Sequence, residues 1–250
     1  MTFMKTNIYK TVIFLASFVF FTSCVEKDIM IYENDPRIFF EIPGTGSVKL
    51  RDSLVFSFPS KPNVGASDTL WFKVNIMGLT SAKDREIGIK INSAKSTAVE
   101  GLNFKFASKV MPANAFSVRI PLVVYRAGLQ NKSVRLEIEA VDNENFKVGY
   151  QRYSKAIFIW GDMFIKPDIW DTSNYKNAFG TFTETRYAFI LQACKITELP
   201  DPMNLVMLGY YNSVVREALY KYNSTPGNTP LTDELGAVGF PVWTGQGGVG

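Results

Sequence analysis

The chain of 250 residues carries 27 Lys and Arg against 23 Asp and Glu, a formal net charge of +4, and contains no histidine. That absence removes Ser-His and Cys-His nucleophile pairs, the usual zinc sites and the commonest general base near neutral pH. The basic residues are interspersed with acids and form no stripe that would neutralise phosphates, so no nucleic acid partner is expected.

Lys5 and Lys10 precede an apolar run from Thr11 to Phe21. A basic segment followed by a short apolar one marks a secretory leader, and the run falls short of the ~20 residues that a membrane-spanning helix needs. Thr22 and Ser23 stand directly before Cys24. This arrangement resembles a bacterial lipobox, which implies removal of residues 1–23, a diacylglycerol on the Cys24 thiol and attachment to a membrane through that lipid. Loss of Lys5 and Lys10 with no acid lowers the formal charge of +4 by two. Residues 24–36 then read as a lipid-anchored linker.

From residue 37 to 161 the pattern has period two, punctuated by turn residues. Leu54, Phe56 and Phe58 share a face, as do Leu70, Phe72, Val74 and Ile76, with Trp71, Lys73 and Asn75 opposite. Ile87, Ile89 and Ile91 follow, then Phe104 and Phe106, then a long strand with Phe116, Val118, Ile120, Leu122 and Val124 on one side. Val134, Leu136, Ile138 and Ala140 are backed by Arg135, Glu137 and Glu139, read as the wet face, and Ala156 to Trp160 is apolar on both faces, as for a central strand. Short strands at this spacing without intervening helices predict an antiparallel immunoglobulin-like β-sandwich.

After Gly161 the period changes, and residues 162–250 read as a helical C-terminal subdomain with a loose Gly-rich tail. Thr181 and Glu184 have capping-box spacing, predicting a helix over Thr185 to Thr197. Asp201-Pro202 predicts a second helix start, and Leu205, Leu208, Val215, Leu219 and Tyr222 recur at helical spacing over Met203 to Tyr222. Gly209 costs ~1 kcal/mol relative to alanine inside that helix and marks a point for a break. Cys194, in an apolar context, reads as a buried structural thiol.

Two resemblances extend this reading. Thr97-Ala98-Val99-Glu100-Gly101-Leu102-Asn103-Phe104, with Met111-Pro112-Ala113-Asn114 and the strand from Ser117 to Tyr125, resembles a Calx-beta repeat over Asp68 to Phe146, which implies an immunoglobulin-like sandwich. Calcium-binding members carry paired acids after the long strand. Here Tyr125-Arg126-Ala127-Gly128 follows it, so no metal is expected, and Asp142 and Glu144 are the first oxygens to consider if one binds. With the lipobox, Ala178 to Thr183, Leu231 to Gly236 and Phe240-Pro241, the chain also resembles a Bacteroidetes surface lipoprotein family of unknown function. Its members are often encoded in polysaccharide-utilisation clusters beside outer-membrane transporters. The resemblance implies an outer-membrane lipoprotein facing the cell exterior, with Glu26 and Asp28 as a surface-export tag.

The function expected is non-catalytic binding of a poly- or oligosaccharide, or an accessory role beside outer-membrane glycan-uptake proteins, with no catalytic residue and no cofactor. A sugar's apolar C–H face packs on an aromatic ring, which makes Trp71, on the wet side of its strand, the first stacking candidate. Trp170 and Trp243, in loop-like contexts, are the others. The alternative places all three in the interface between sandwich and helices. A structural or adhesive protein-interaction module is the competing function, and a carboxylate-only glycoside hydrolase is the third.

Overall fold

The period-two runs form strands because alternation lets one face of a pleated sheet be buried while the other stays wet. The computed structural model describes residues 35–43, 50–61, 63, 65–167, 169–171, 174–200 and 204–245. Cys24, Glu26, Asp28 and the Asp201-Pro202 helix start lie outside the described residues.

The strands are β1 (Arg37–Pro43), β2 (Leu50–Arg51), β3 (Ser53–Ser57), β4 (Ser67–Met77), β5 (Arg85–Glu86), β6 (Ile89–Ile91), β7 (Phe104–Phe106), β8 (Val110–Met111), β9 (Ser117–Tyr125), β10 (Ser133–Ala140), β11 (Lys147–Val148) and β12 (Lys155–Gly161). One sheet runs β11-β1-β4-β9-β7, with β2 added to β1, and the facing sheet runs β3-β12-β10-β6. The pairings are antiparallel except β1 with β11 and β3 with β12. The sheets meet through aromatic side chains. Phe72 and Phe158 lie 5.3 Å apart, and Phe104 meets Trp160 edge-on at 6.1 Å, contacts worth ~0.5–1.5 kcal/mol each beyond the area they bury.

The Calx-like element is a turn that closes on itself. Asn103 accepts the Val99 amide at 2.9 Å, Gly101 sits at φ 83°, and Ala98 and Phe104 are buried in the sandwich core. Two expectations on the strands are corrected. Phe116 is 63% exposed because β9 starts at Ser117, one residue after it. Glu137 is buried on the side expected to be wet, since the segment after β6 crosses it and brings Asn92 to 3.2 Å, while Arg135 reaches it at 2.6 Å.

Beyond β12, Asp35–Gly250 remains one unit but holds a second hydrophobic cluster. It is built by α1 (Tyr175–Phe179), α2 (Glu184–Cys194), α3 (Leu205–Ser224) and a hairpin of β13 (Thr232–Asp233) and β14 (Gly236–Ala237). The capping box is corrected: the α2 cap is Thr183, whose hydroxyl accepts the Arg186 amide at 3.1 Å, and Glu184 instead accepts the Phe164 amide. The helix stops at Cys194 because Lys195 turns left-handed at φ 55°. For α3 the cap is Asn204, accepting from Met207 at 2.7 Å, and the helix runs through Gly209 without a break. Leu208, Val215 and Leu219 are buried as the spacing predicts, whereas Leu205 is 51% exposed.

The segments that carried the family resemblance after Gly161 meet in space. Arg186 pairs with Asp233 at 3.2 Å and donates to the Phe179 and Gly239 carbonyls, while Thr183 donates to Asp233 at 2.9 Å. Gly180 is required twice over: its φ is 82°, and a Cβ there would sit 2.4 Å from the Arg186 guanidinium. Asn212, fully buried on α3, donates to the Ala178 and Pro241 carbonyls and accepts the Trp243 amide. The C-terminal segment is therefore fastened by side chains, not by a sheet.

Candidate functional site

Trp170 and Trp243 belong to the second hydrophobic cluster, whereas Trp71 stands apart on the sandwich. Trp170 is fully buried and donates to the Gly180 carbonyl at 3.0 Å, so its assignment as a stacking surface is corrected: it is the centre of the second core. Trp243 is half-buried and packs over Gly209, its Cδ1 3.5 Å from where a Cβ on that glycine would lie. Trp71 is 42% exposed on the outer face of its sheet. The Arg119 guanidinium stands 5.1 Å from the Trp71 ring centre, and Lys73 and Asn75 on the same face both reach Glu41. This face thus carries a cation-covered ring beside an ion-paired cluster.

A concave site forms elsewhere. In β3, Leu54 and Phe56 point into the sandwich core, which turns Ser53, Val55 and Ser57 to the opposite face by simple alternation. Chain leaving β12 passes over that face, and the Ile165 amide donates to Ser57 Oγ at 3.0 Å. Together with Tyr187 of α2 and the Thr197–Pro200 segment behind it, these residues enclose a cleft of about 410 Å³ at the junction of sandwich and helices. A second hollow of about 490 Å³ adjoins it, between the 3-10 turn Phe58–Ser60 and the C-terminal half of α2.

The electrostatics of the cleft are mixed. Lys61 pairs with Asp68 at 2.7 Å and lies 4.9 Å from the Phe56 ring centre, while Arg51 adds a second cation and Glu198 is the one carboxylate among the described lining residues. Burial pushes the Tyr187 phenol up to about 12, a hydrogen bond from the Leu199 backbone opposing the shift, so the group is a neutral donor across the physiological range. Hydroxyls of Ser53, Ser57, Ser60 and Thr197 alternate with the apolar surfaces of Val55, Ile165, Pro167 and Pro200. Such a lining suits a ligand rich in hydroxyls with apolar C–H faces. General acid–base hydrolysis of a glycosidic bond uses two carboxylates about 5–10 Å apart, and the described lining offers Glu198 alone.

Two other positions singled out in the sequence have local structural partners. In the 142–145 turn, Asn143 Oδ1 accepts the Asn145 and Phe146 amides and Asp142 accepts the Val148 amide, so these oxygens serve the local backbone. Among the described residues no three Cys, Asp or Glu gather as metal ligands. Cys194 is half-buried with Sγ 3.9 Å from the Tyr211 carbonyl, and burial pushes its thiol up to about 12, which keeps it protonated and unreactive. The residues of the cleft escaped sequence reasoning because serine, threonine and proline, on the outer face of a short strand or in loops, carry no distinctive signal.

The fold is an immunoglobulin-like sandwich with an appended helical part and a cleft at their junction. Residues 32–196 match the family described as Domain of unknown function (DUF4843), and the chain belongs to that family. No curated protein matches the chain. Among solved structures, CBD12 from CALX1.2 is similar at 14% identity over 51% of this chain and 45% of that one, with a TM-score of 0.34. A two-domain protein of unknown function from Bacteroides fragilis NCTC 9343 is similar at 10% identity over 51% and 46%, with a TM-score of 0.36. A candidate carbohydrate-binding protein from Bacteroides ovatus ATCC 8483 is similar at 9% identity over 50% and 36%, with a TM-score of 0.30. The chain thus spans less than half the length of each of these three structures.

Proposed function

We propose that the protein is a lipid-anchored outer-membrane protein facing the cell exterior, where it binds a poly- or oligosaccharide without cleaving it and assists a glycan-uptake complex. The observation that carries the binding reading is the junctional cleft, whose hydroxyl groups and apolar walls match the two kinds of surface a sugar presents. Hydrogen bonds to hydroxyls exchange against water at little net gain, so affinity comes from the packed apolar faces and is modest, on the order of millimolar to micromolar. The anchor and export readings rest on Cys24, Glu26 and Asp28 in the sequence.

Affinity electrophoresis of the full chain through gels containing a broad panel of polysaccharides tests the reading. At least one polysaccharide retards the protein and releases no reducing ends. Glu198→Ala combined with Ser60→Ala lowers that retardation about tenfold, ~1.4 kcal/mol, with little change in melting temperature, because neither residue is in the core. A panel without retardation moves the weight to a protein-interaction module. That second reading is favoured by one observation, the exposure of Val206, Tyr210 and Tyr220 on α3 at 83%, 61% and 75%.

A further inference from the structure

The cleft and the adjoining hollow share two lining residues. Ser60 and Thr197 line both, one from the sandwich side and one from the chain after α2, so their small hydroxyl side chains stand at the shared boundary, the neck, of two chambers. The neck is set by its own backbone: Lys61 donates to the Phe58 carbonyl at 3.3 Å on one side, and Ile196 donates to the Leu191 carbonyl at 3.0 Å on the other. Two independently fixed turns thus position both boundary residues before anything binds, which spares the cost of ordering them.

The chambers differ in chemistry. The first carries Arg51, Lys61 and Glu198 with several hydroxyls, whereas the second is walled by Pro59, Phe164 and Leu191 with Gln192 and Lys195 as its polar members beyond the neck. At about 410 and 490 Å³, each chamber alone has the size of an ordinary small-ligand site. A single sugar would satisfy the hydroxyl-rich chamber and leave the apolar one facing water. Linked rings use both: one unit bonds in the first chamber, the linkage passes between Ser60 and Thr197, and the C–H face of a following ring covers the apolar wall. We infer that the trough is one elongated site and that its ligand is a linear oligosaccharide, or an internal stretch of a polysaccharide, spanning both chambers. The inference rests on the glycan reading above and adds the length of the ligand and the point at which it crosses from chamber to chamber.

The test is a titration of the full chain with a size-fractionated ladder, from disaccharide upward, prepared by partial hydrolysis of the polysaccharide that retards it. Affinity rises about tenfold or more from the disaccharide to the length that fills both chambers, and then levels off. Thr197→Trp, at an exposed position that closes the neck, brings the longest fragment down to the affinity of the disaccharide. Gln192→Trp, on the exposed surface of α2 and inside the second chamber only, lowers long-fragment affinity while leaving the disaccharide unchanged. Equal affinity at every length, with both variants silent, overturns the two-chamber site and leaves the glycan reading standing. A panel from which no polysaccharide retards the protein overturns both.

Discussion

At the scale of single residues, the tryptophans separate by burial. Trp170 fills the second core with no exposed surface and with its indole N–H bonded, so Trp170→Ala removes both packing and a satisfied donor and costs ~3–5 kcal/mol. Trp71, 42% exposed, loses mainly its contact with Arg119, and Trp71→Ala costs about 1 kcal/mol or less. Urea denaturation of the two variants reads the difference directly, and equal costs would contradict this account of the cores. The ion pair of Arg186 with Asp233 is the second residue-scale determinant. Burial alone would raise the Asp233 carboxyl, but bonds from the Leu235 backbone, Thr183 and Arg186 outweigh it and hold the group below the usual carboxylate range. A folded-state value below the unfolded one means that stability is present above the unfolded value and is lost as pH falls through the folded one. The wild type therefore sheds this contribution only below about pH 4. Asp233→Ala leaves the Arg186 charge buried without its partner and costs ~3–5 kcal/mol at neutral pH. Its stability, followed by thermal melts from neutral to acid pH, falls less steeply at the acid end than that of the wild type.

Elements were legible where one physical signal dominates. The strands of the sandwich follow period two, and β4 buries Leu70, Phe72 and Val74 while Trp71 faces outward, as alternation alone requires. Boundaries and exceptions depend on contacts that no local pattern carries. Phe116 falls outside β9 by one residue, and Glu137 is covered by a loop from a distant part of the chain. The α2 cap shifted from Thr181 to Thr183 because Thr183 also bonds Asp233, fifty residues away in sequence. Gly209 illustrates the same limit. Propensity argues for a break, yet α3 continues and Trp243 lies over the gap. A Cβ there would meet Trp243 Cδ1 at 3.5 Å, an ordinary contact, so Gly209→Ala stabilises the protein by ~0.5–1 kcal/mol through helix propensity. A rise in melting temperature checks this. A fall would show that the indole tolerates no added methyl.

For the whole molecule, the period changes near Gly161 and a second hydrophobic cluster lies beyond it, but the proposed binding surface arises only where sandwich and helices meet. Its residues come from β2–β3 and, more than a hundred positions later, from the exit of β12, from α2 and from the segment behind it. The tryptophans drew attention because they are large; the cleft uses small hydroxyls instead. Membrane attachment is a separate whole-molecule claim. Cys24→Ala moves the protein from the membrane fraction to the soluble fraction, and continued sedimentation with membranes would contradict the lipid anchor.

The central claim, that a glycan occupies the junctional trough, is tested most directly by hydrogen–deuterium exchange of the full chain with and without the polysaccharide that retards it. The account predicts slowed exchange confined to Ser53–Lys61 and to residues 196–199, the two sides of the neck and its walls. Protection confined to β4 around Trp71, or no protected segment at all, would contradict it.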